Sequence, residues 1–144
     1  MGGELEFVDT NVVVYAHDST AGNKRAVASE LLERLDVAGT GAISVQVLQE
    51  FVVTAGAKVQ PPISDEEIAA LVEDLSDWTV FCPGSDDVLA ALELRRRHQM
   101  SFWDAMILRA ASELDASVLW TEDLSHGRDY DGVTARNPFR TEDA

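Results

Sequence analysis

Four short apolar runs, spaced by helix-length segments, limit what this chain can fold into. "ELEFVD" reads as a strand ending at Asp9. A brief strand lies around Ala42–Ile43 after the Gly-marked turn "GTG". "WTVFCP" is a third, closed by Pro83, and "SVLWTED" a fourth. Between them stand segments with helical spacing. In "NKRAVASELLERLD", Val27, Leu31, Leu32 and Leu35 recur at intervals of three and four. Ser44 is suited to cap "VQVLQEFVVTAGAKV", and Ser64 with Glu67 forms a capping box before "IAALVEDLSD". "SDDVLAALELRRRHQM" and "FWDAMILRAASELD" follow, the latter opened by a second box of Ser101 and Asp104. A last strand, "GVTA", precedes the stop at Asn137-Pro138. Short strands alternating with helices predict a parallel sheet covered on both faces, a three-layer α/β/α sandwich. At 144 residues, with no linker or repeat, the expectation is one domain over 1–144 with its core at about 5–139.

In such sheets, sites form beyond the carboxyl ends of the strands, at a topological switch point. Asp9, Ser44 and Asp123 each sit at or just past such an end. Asp9 could cap the turn after its strand, but Thr10 and Asn11 can already do so. Asp104 could be only the acid of its capping box. Yet at 100° per residue it falls inside an apolar stripe of Trp103, Ile107, Ala111 and Leu114. Glu50 points away from the apolar face of its helix, beside Gln46, Gln49 and Val53. Its periodicity favours a solvated glutamate unless that second face looks into a cleft. Glu122 and Asp123 are ordinary turn residues when taken alone.

Charge narrows the function. Twenty-six acids against 11 bases leave a net charge of −15. That argues against unaided nucleic-acid binding, which rests on Lys and Arg neutralising phosphates. A nucleic-acid role would need metal ions or a local basic patch. Arg95, Arg96 and Arg97, with His98 beside them, form the one basic run. It suits a helix C-terminus or, as the alternative, a phosphate contact. His17 and His126 have no partners at zinc spacing. The lone Cys82 forms no internal disulfide and suits a reducing, cytoplasmic setting. "MGGELEFVDT" has no basic start followed by an apolar run, and no stretch is long enough to span a membrane. Phosphate-loop, dinucleotide and nucleophile-elbow motifs are missing. Trp103 and Trp120 read as core residues rather than base-stacking platforms.

Taken together, Asp9 in "FVDTNVVVYAHD", Glu50 in "SVQVLQEF", Asp104 in "SFWDAMILRAA" and Asp123 in "WTEDL" resemble the acidic quartet of PIN-domain ribonucleases. The fit is to the VapC-type toxins of bacterial toxin–antitoxin pairs, and the closing "DGVTARNPF" is similar to that family's C-terminal segment. The resemblance runs from about residue 5 to 139. It implies a central parallel sheet of four or five strands, and four acids meeting in one cleft around Mg²⁺ or Mn²⁺. Asp9 and Asp104 would be the principal ligands, with Glu50 and Asp123 completing the site directly or through water. Thr10, Asn11, Ser44 and Thr121 fall at supporting polar positions, and Glu122 is an extra acid. The implied activity is hydrolysis of RNA phosphodiesters to 5′-phosphate and 3′-hydroxyl ends. The implied partners are RNA, a cognate antitoxin that covers the cleft, and a second copy in a homodimer. Arg95–Arg97 are the expected phosphate contacts.

Two other classes compete with a nuclease. A catalytically silent acidic binding module would keep the fold without the chemistry. An aspartate-based phosphatase would use Asp9 as nucleophile, but the dehalogenase type looks for a second Asp two positions on, where this chain has Asn11. A phospho-accepting receiver would carry a late lysine, and Lys24 and Lys58 are both early.

Overall fold

A computed structural model describes residues 3–140. Met1, Gly2 and residues 141–144 of the expected 1–144 domain lie outside the described residues. Strand β1 (Glu6–Val8) leads into a one-and-a-half-turn helix α1 (Thr10–Tyr15) and then α2 (Asn23–Ala38). Next come β2 (Gly41–Ser44), α3 (Val45–Ala57) and α4 (Asp65–Leu75). Strand β3 (Thr79–Phe81) precedes α5 (Ser85–His98) and α6 (Phe102–Glu113). The chain ends with β4 (Val118–Trp120), β5 (Asp129–Tyr130) and β6 (Val133–Arg136). The sheet order is β3-β2-β1-β4-β6-β5, parallel throughout except for β5 on β6.

That order contains the switch that matters. From β1 the chain steps outward through β2 to β3, then returns across the sheet to β4 on the other side of β1. Right-handed crossovers place the helices of the outward steps (α1 to α4) on one face and those of the return (α5, α6) on the other. The crevice between the ends of β1 and β4 lies where the winding reverses. Register pins the two strands: Phe7 faces Leu119 and Val8 faces Trp120, and the Asp9 N–H donates to the Trp120 carbonyl at 2.9 Å.

The sheet is stiff because its interior strands are buried on both faces. Phe7, Val8, Ala42, Ile43 and Leu119 are fully enclosed, as continuous apolar runs in parallel strands require. Helix α1 adds Val12, Val13 and Val14, and α3 adds Val47, Phe51 and Ala55. Helix α6 supplies Ile107, Leu108, Ala110 and Ala111. A second small cluster of Ala91, Ala105 and Met106 locks α5 onto α6. The Asp87–Arg109 ion pair, at 2.8 Å, joins the same two helices.

The expected four or five strands become six. The additional one is β5, two residues long and antiparallel, joined to β6 by Asp131-Gly132 with φ of 55° and 102°. Two consecutive left-handed residues are what a two-residue hairpin needs, and Asp-Gly supplies them. Two caps also differ from expectation. The Ser64–Glu67 box is complete, with bonds in both directions. The Ser101–Asp104 box is half made: the Ser101 hydroxyl accepts from the Asp104 N–H at 3.1 Å, and no bond back to the Ser101 backbone forms. At α1, Asp9 itself holds the N-cap position rather than Thr10 or Asn11.

Candidate active site

The site is built on that β1–β4 crevice. Asp9 directly follows β1 and is 6% exposed. Its carboxylate accepts from the Thr10 N–H at 2.7 Å and from the Thr121 hydroxyl at 2.8 Å. Thr121, just past β4 and buried, also accepts from the Asp123 N–H at 3.0 Å, so one hydroxyl ties two acids together. Asp104 enters from the first turn of α6. One carboxylate oxygen each from Asp9, Asp104 and Asp123 lies within 4.8 Å of the others.

Glu50 reaches the same cavity from α3. The Thr10 hydroxyl donates to it at 2.6 Å and the Gln46 amide at 3.3 Å. Its helix face, with Gln46, Gln49 and Val53, lines a cleft of about 600 Å³ together with Asp9, Asp104 and Asp123. The second face of α3 therefore looks into a cleft, and Glu50 with it. Asn11 orients Asp123 through an amide donor at 3.2 Å.

The electrostatics are uncompensated. Among the described residues, no lysine, arginine or histidine lines this cleft. Burial pushes the Asp9 carboxyl up to about 7, against the two hydroxyl and amide donors that pull it down; the Asp123 and Asp104 charges add to the rise. Desolvation also raises Asp104, helped by Glu50, and raises Asp123, helped by Asp104. Such a set of hard oxygens, without a base among them, fits an oxygen-loving divalent cation.

Other expected site residues fall elsewhere. Glu122 turns away from the cleft, paired with Lys24 and accepting from the Tyr15 hydroxyl at 2.9 Å. The Ser44 hydroxyl caps α3 by accepting from the Val47 N–H. Arg95, Arg96 and Arg97 end α5 and do not line the acidic cleft. Arg96 pairs with Glu93, while Arg97 holds Asp131 of the β5–β6 turn at 2.7 Å. Trp103 corrects the core reading: it is 60% exposed and forms part of the cleft wall. Trp120 is half-buried, its indole donating to Glu6 at 2.9 Å. Gln46 was the supporting residue not singled out, although its position four residues before Glu50 puts both on one helix face.

The family model of the PIN domain matches residues 7–128. The chain belongs to the PIN domain family. Its match begins at β1 and ends just past the fourth acid, so it spans all four carboxylates. Among solved structures, a toxin–antitoxin complex from Klebsiella pneumoniae contains a chain with 22% identity and a TM-score of 0.68. The match covers 94% of this chain and 99% of that one. VapBC2 from Rickettsia felis, bound to a DNA fragment from its promoter, matches at 21% identity and a TM-score of 0.64, over 92% and 98% of the two chains. VapC20 from Mycobacterium tuberculosis, a toxin that cleaves the sarcin–ricin loop, matches at 18% and 0.62, over 81% and 88%. No curated protein sequence matches. These likenesses agree on the PIN fold. No described helix is long and apolar enough to cross a membrane.

Proposed function

We propose that this PIN-domain protein is a metal-dependent endoribonuclease and the toxin of a toxin–antitoxin pair. One observation carries the reading: three carboxylates converge within 4.8 Å in an open cleft that offers no positive side chain to offset them. Uncompensated acids held together this closely are costly, and a bound cation removes the cost. A silent binding module has no use for that arrangement. The similarity to toxins from VapBC pairs supports RNA as substrate and a protein antitoxin as partner.

Asp9, Asp104 and Asp123 would hold the ion, with Glu50 joining through water. Mg²⁺ or Mn²⁺, when bound, supplies positive charge against the scissile phosphate and lowers the pKa of a water. The protein does the rest. Thr121 fixes the Asp9 carboxylate and the Asp123 backbone together. Thr10 and Gln46 orient Glu50, whose free lone pairs can accept a proton from an attacking water. Trp103, exposed on the cleft wall, offers a face on which a base can stack. Attack of water on phosphorus breaks the bond to the 3′-oxygen, which takes up a proton from solvent and leaves as the 3′-hydroxyl of the upstream fragment, while the phosphate stays on the 5′-oxygen of the downstream nucleotide.

The test is cleavage of RNA by the purified protein in Mg²⁺, Mn²⁺ or EDTA. Metal should switch cleavage on and EDTA should switch it off. Asp104→Asn should lower kcat/KM at least about a hundredfold while keeping a cooperative melt, because Asp104 is half-buried and the Asp104 N–H bond to the Ser101 hydroxyl that caps the helix is kept. Full activity in Asp104→Asn, or cleavage undiminished in EDTA, would overturn the reading.

A further inference from the structure

We propose that Arg128 seats a second phosphate of the RNA strand, beside the scissile one, in a separate cavity next to the acids. The proposal rests on the nuclease reading above and adds the residue that grips the substrate. The second cavity, of about 530 Å³, shares Asp104 and Asp123 with the acidic cleft, so those two acids form the wall between them. Its other polar lining includes His98, Ser101, Ser125 and Arg128.

Lys24, Arg34, Arg96, Arg97 and Arg109 are each paired with a carboxylate. Of the lysines and arginines without an ion pair among the described residues, Arg128 is the one that lines the cavity beside the acids. Among the described residues, no carboxylate lies within ion-pair distance of Arg128. It is nonetheless held in place. Its guanidinium lies over the Tyr130 ring, 4.7 Å from the centroid, and one nitrogen is 3.5 Å from His98 Nδ1. Its carbonyl accepts from the Ala135 N–H at 2.9 Å, which fastens the segment to β6. Tyr130 is buried, and its hydroxyl accepts from the Ser125 N–H at 3.2 Å. His98 is braced from behind by Asp131 at 3.3 Å. An arginine stacked on an aromatic face keeps its planar fork of N–H donors available, and that fork matches a phosphate.

The charge balance makes the position consequential. A molecule of net charge −15 repels a polyanion unless cations meet it at the site. Among the described residues that line the two adjoining cavities, Arg128 is the one permanent cation. A single strand threaded through both would place one phosphate over the acids and their ion, and a neighbouring one on Arg128. A carboxylate from a protein partner could use only the second of those two places, which favours RNA. The proposal puts a phosphate contact at Arg128, apart from the run Arg95–Arg97 at the end of α5.

The experiment compares the parent with Arg128→Gln and Arg128→Lys on an oligoribonucleotide that the parent cleaves with Mg²⁺ or Mn²⁺. Arg128→Gln should raise KM about tenfold and lower kcat much less. It should also flatten the slope of log KM against log salt by about 0.7, the loss of one single-strand phosphate contact. Arg128→Lys should retain the slope and recover part of KM. If Arg128→Gln melts early, Arg128→Lys decides alone: a KM within about twofold of the parent supports charge at this place, and one as high as a deletion opposes it. Parental cleavage with an unchanged KM and salt slope in Arg128→Gln overturns the subsite and leaves the nuclease standing. Unchanged RNA parameters with weakened binding of a co-expressed antitoxin overturn it too, and assign the cavity to the protein partner. Absence of RNA cleavage by the parent would instead sink the reading on which this rests.

Discussion

At the scale of single residues, the site works through shared donors. The buried Thr121 hydroxyl donates to Asp9 and accepts from the Asp123 N–H, so one side chain serves both acids. Replacing it with valine keeps the shape and removes both bonds. The Thr121 bond is the strongest influence holding Asp9 down against burial, so Thr121→Val should raise the Asp9 carboxyl further. The acidic limb of the kcat/KM profile should then shift to higher pH, and stability should fall by about 1–2 kcal/mol from the orphaned groups. An acidic limb that stays in place would show that Asp9 is not the group titrating there. The residue scale is also where sequence alone was weakest. In sequence, Asp9, Asp104 and Asp123 each fit a turn or cap role, and the strand ends put only Asp9 and Asp123 at a shared end of the sheet. Asp104 shows why: the serine-to-acid spacing is the same whether the carboxylate turns back to its cap or forward into a cleft. Only the packing of α6 against the sheet decides between them.

At the scale of elements, what sequence conveyed well was alternation. Each parallel strand and each long helix has a periodic or apolar signal longer than its uncertainty at the ends. β5 did not, because two residues carry no period, although Asp131-Gly132 was a hairpin signal in its own right. The arginine run shows a different limit: composition reports charge but not that Arg96 and Arg97 pair with Glu93 and Asp131. One element contact was invisible in any pattern. Gly41 opens β2 directly beneath the indole of Trp78, which itself donates to Asp36 at 3.0 Å. A Cβ on residue 41 would sit 2.5 Å from two atoms of that ring. The half-buried ring is tethered by its indole bond to Asp36, which limits how far it can shift. Gly41→Ala should therefore cost about 1–3 kcal/mol in a urea melt. The loss from Gly41→Ala should be smaller when it is made in the Trp78→Leu background and measured against Trp78→Leu, because the clashing ring is then gone. The same loss in both backgrounds would place the cost in the backbone instead.

At the scale of the whole molecule, acidity, stability and metal are one linked problem. Folding lifts Asp9 from the ordinary aspartate value of 3.8 to about 7. Between those two values the native state keeps a proton that the unfolded chain has released. Stability from this group is full below pH 3.8 and is lost as pH rises toward and past 7. Asp104 and Asp123 shift in the same direction. His17 acts oppositely: burial lowers its pKa, so its contribution is lost as pH falls through the usual histidine range. The two signs overlap near pH 6, and a bare melting curve would mix them. Asp9→Asn separates them, since it abolishes the Asp9 titration and leaves His17 alone. In EDTA, the variant's Tm relative to the parent should climb between pH 5.5 and 7.5, because only the parent carries the growing charge. Mg²⁺ or Mn²⁺ should reverse the order at pH 7.5. A metal at a hundred times its Kd stabilises by about 2.7 kcal/mol, and the parent alone retains the full ligand set. An ion held by Asp9 would have to displace its proton, so its affinity for the parent should tighten as pH rises toward 7 and level off above it. Should the Tm difference in EDTA stay flat with pH while metal stabilises both proteins equally, Asp9 would be an ordinary helix cap. The charge of −15 would then be a property of the surface alone.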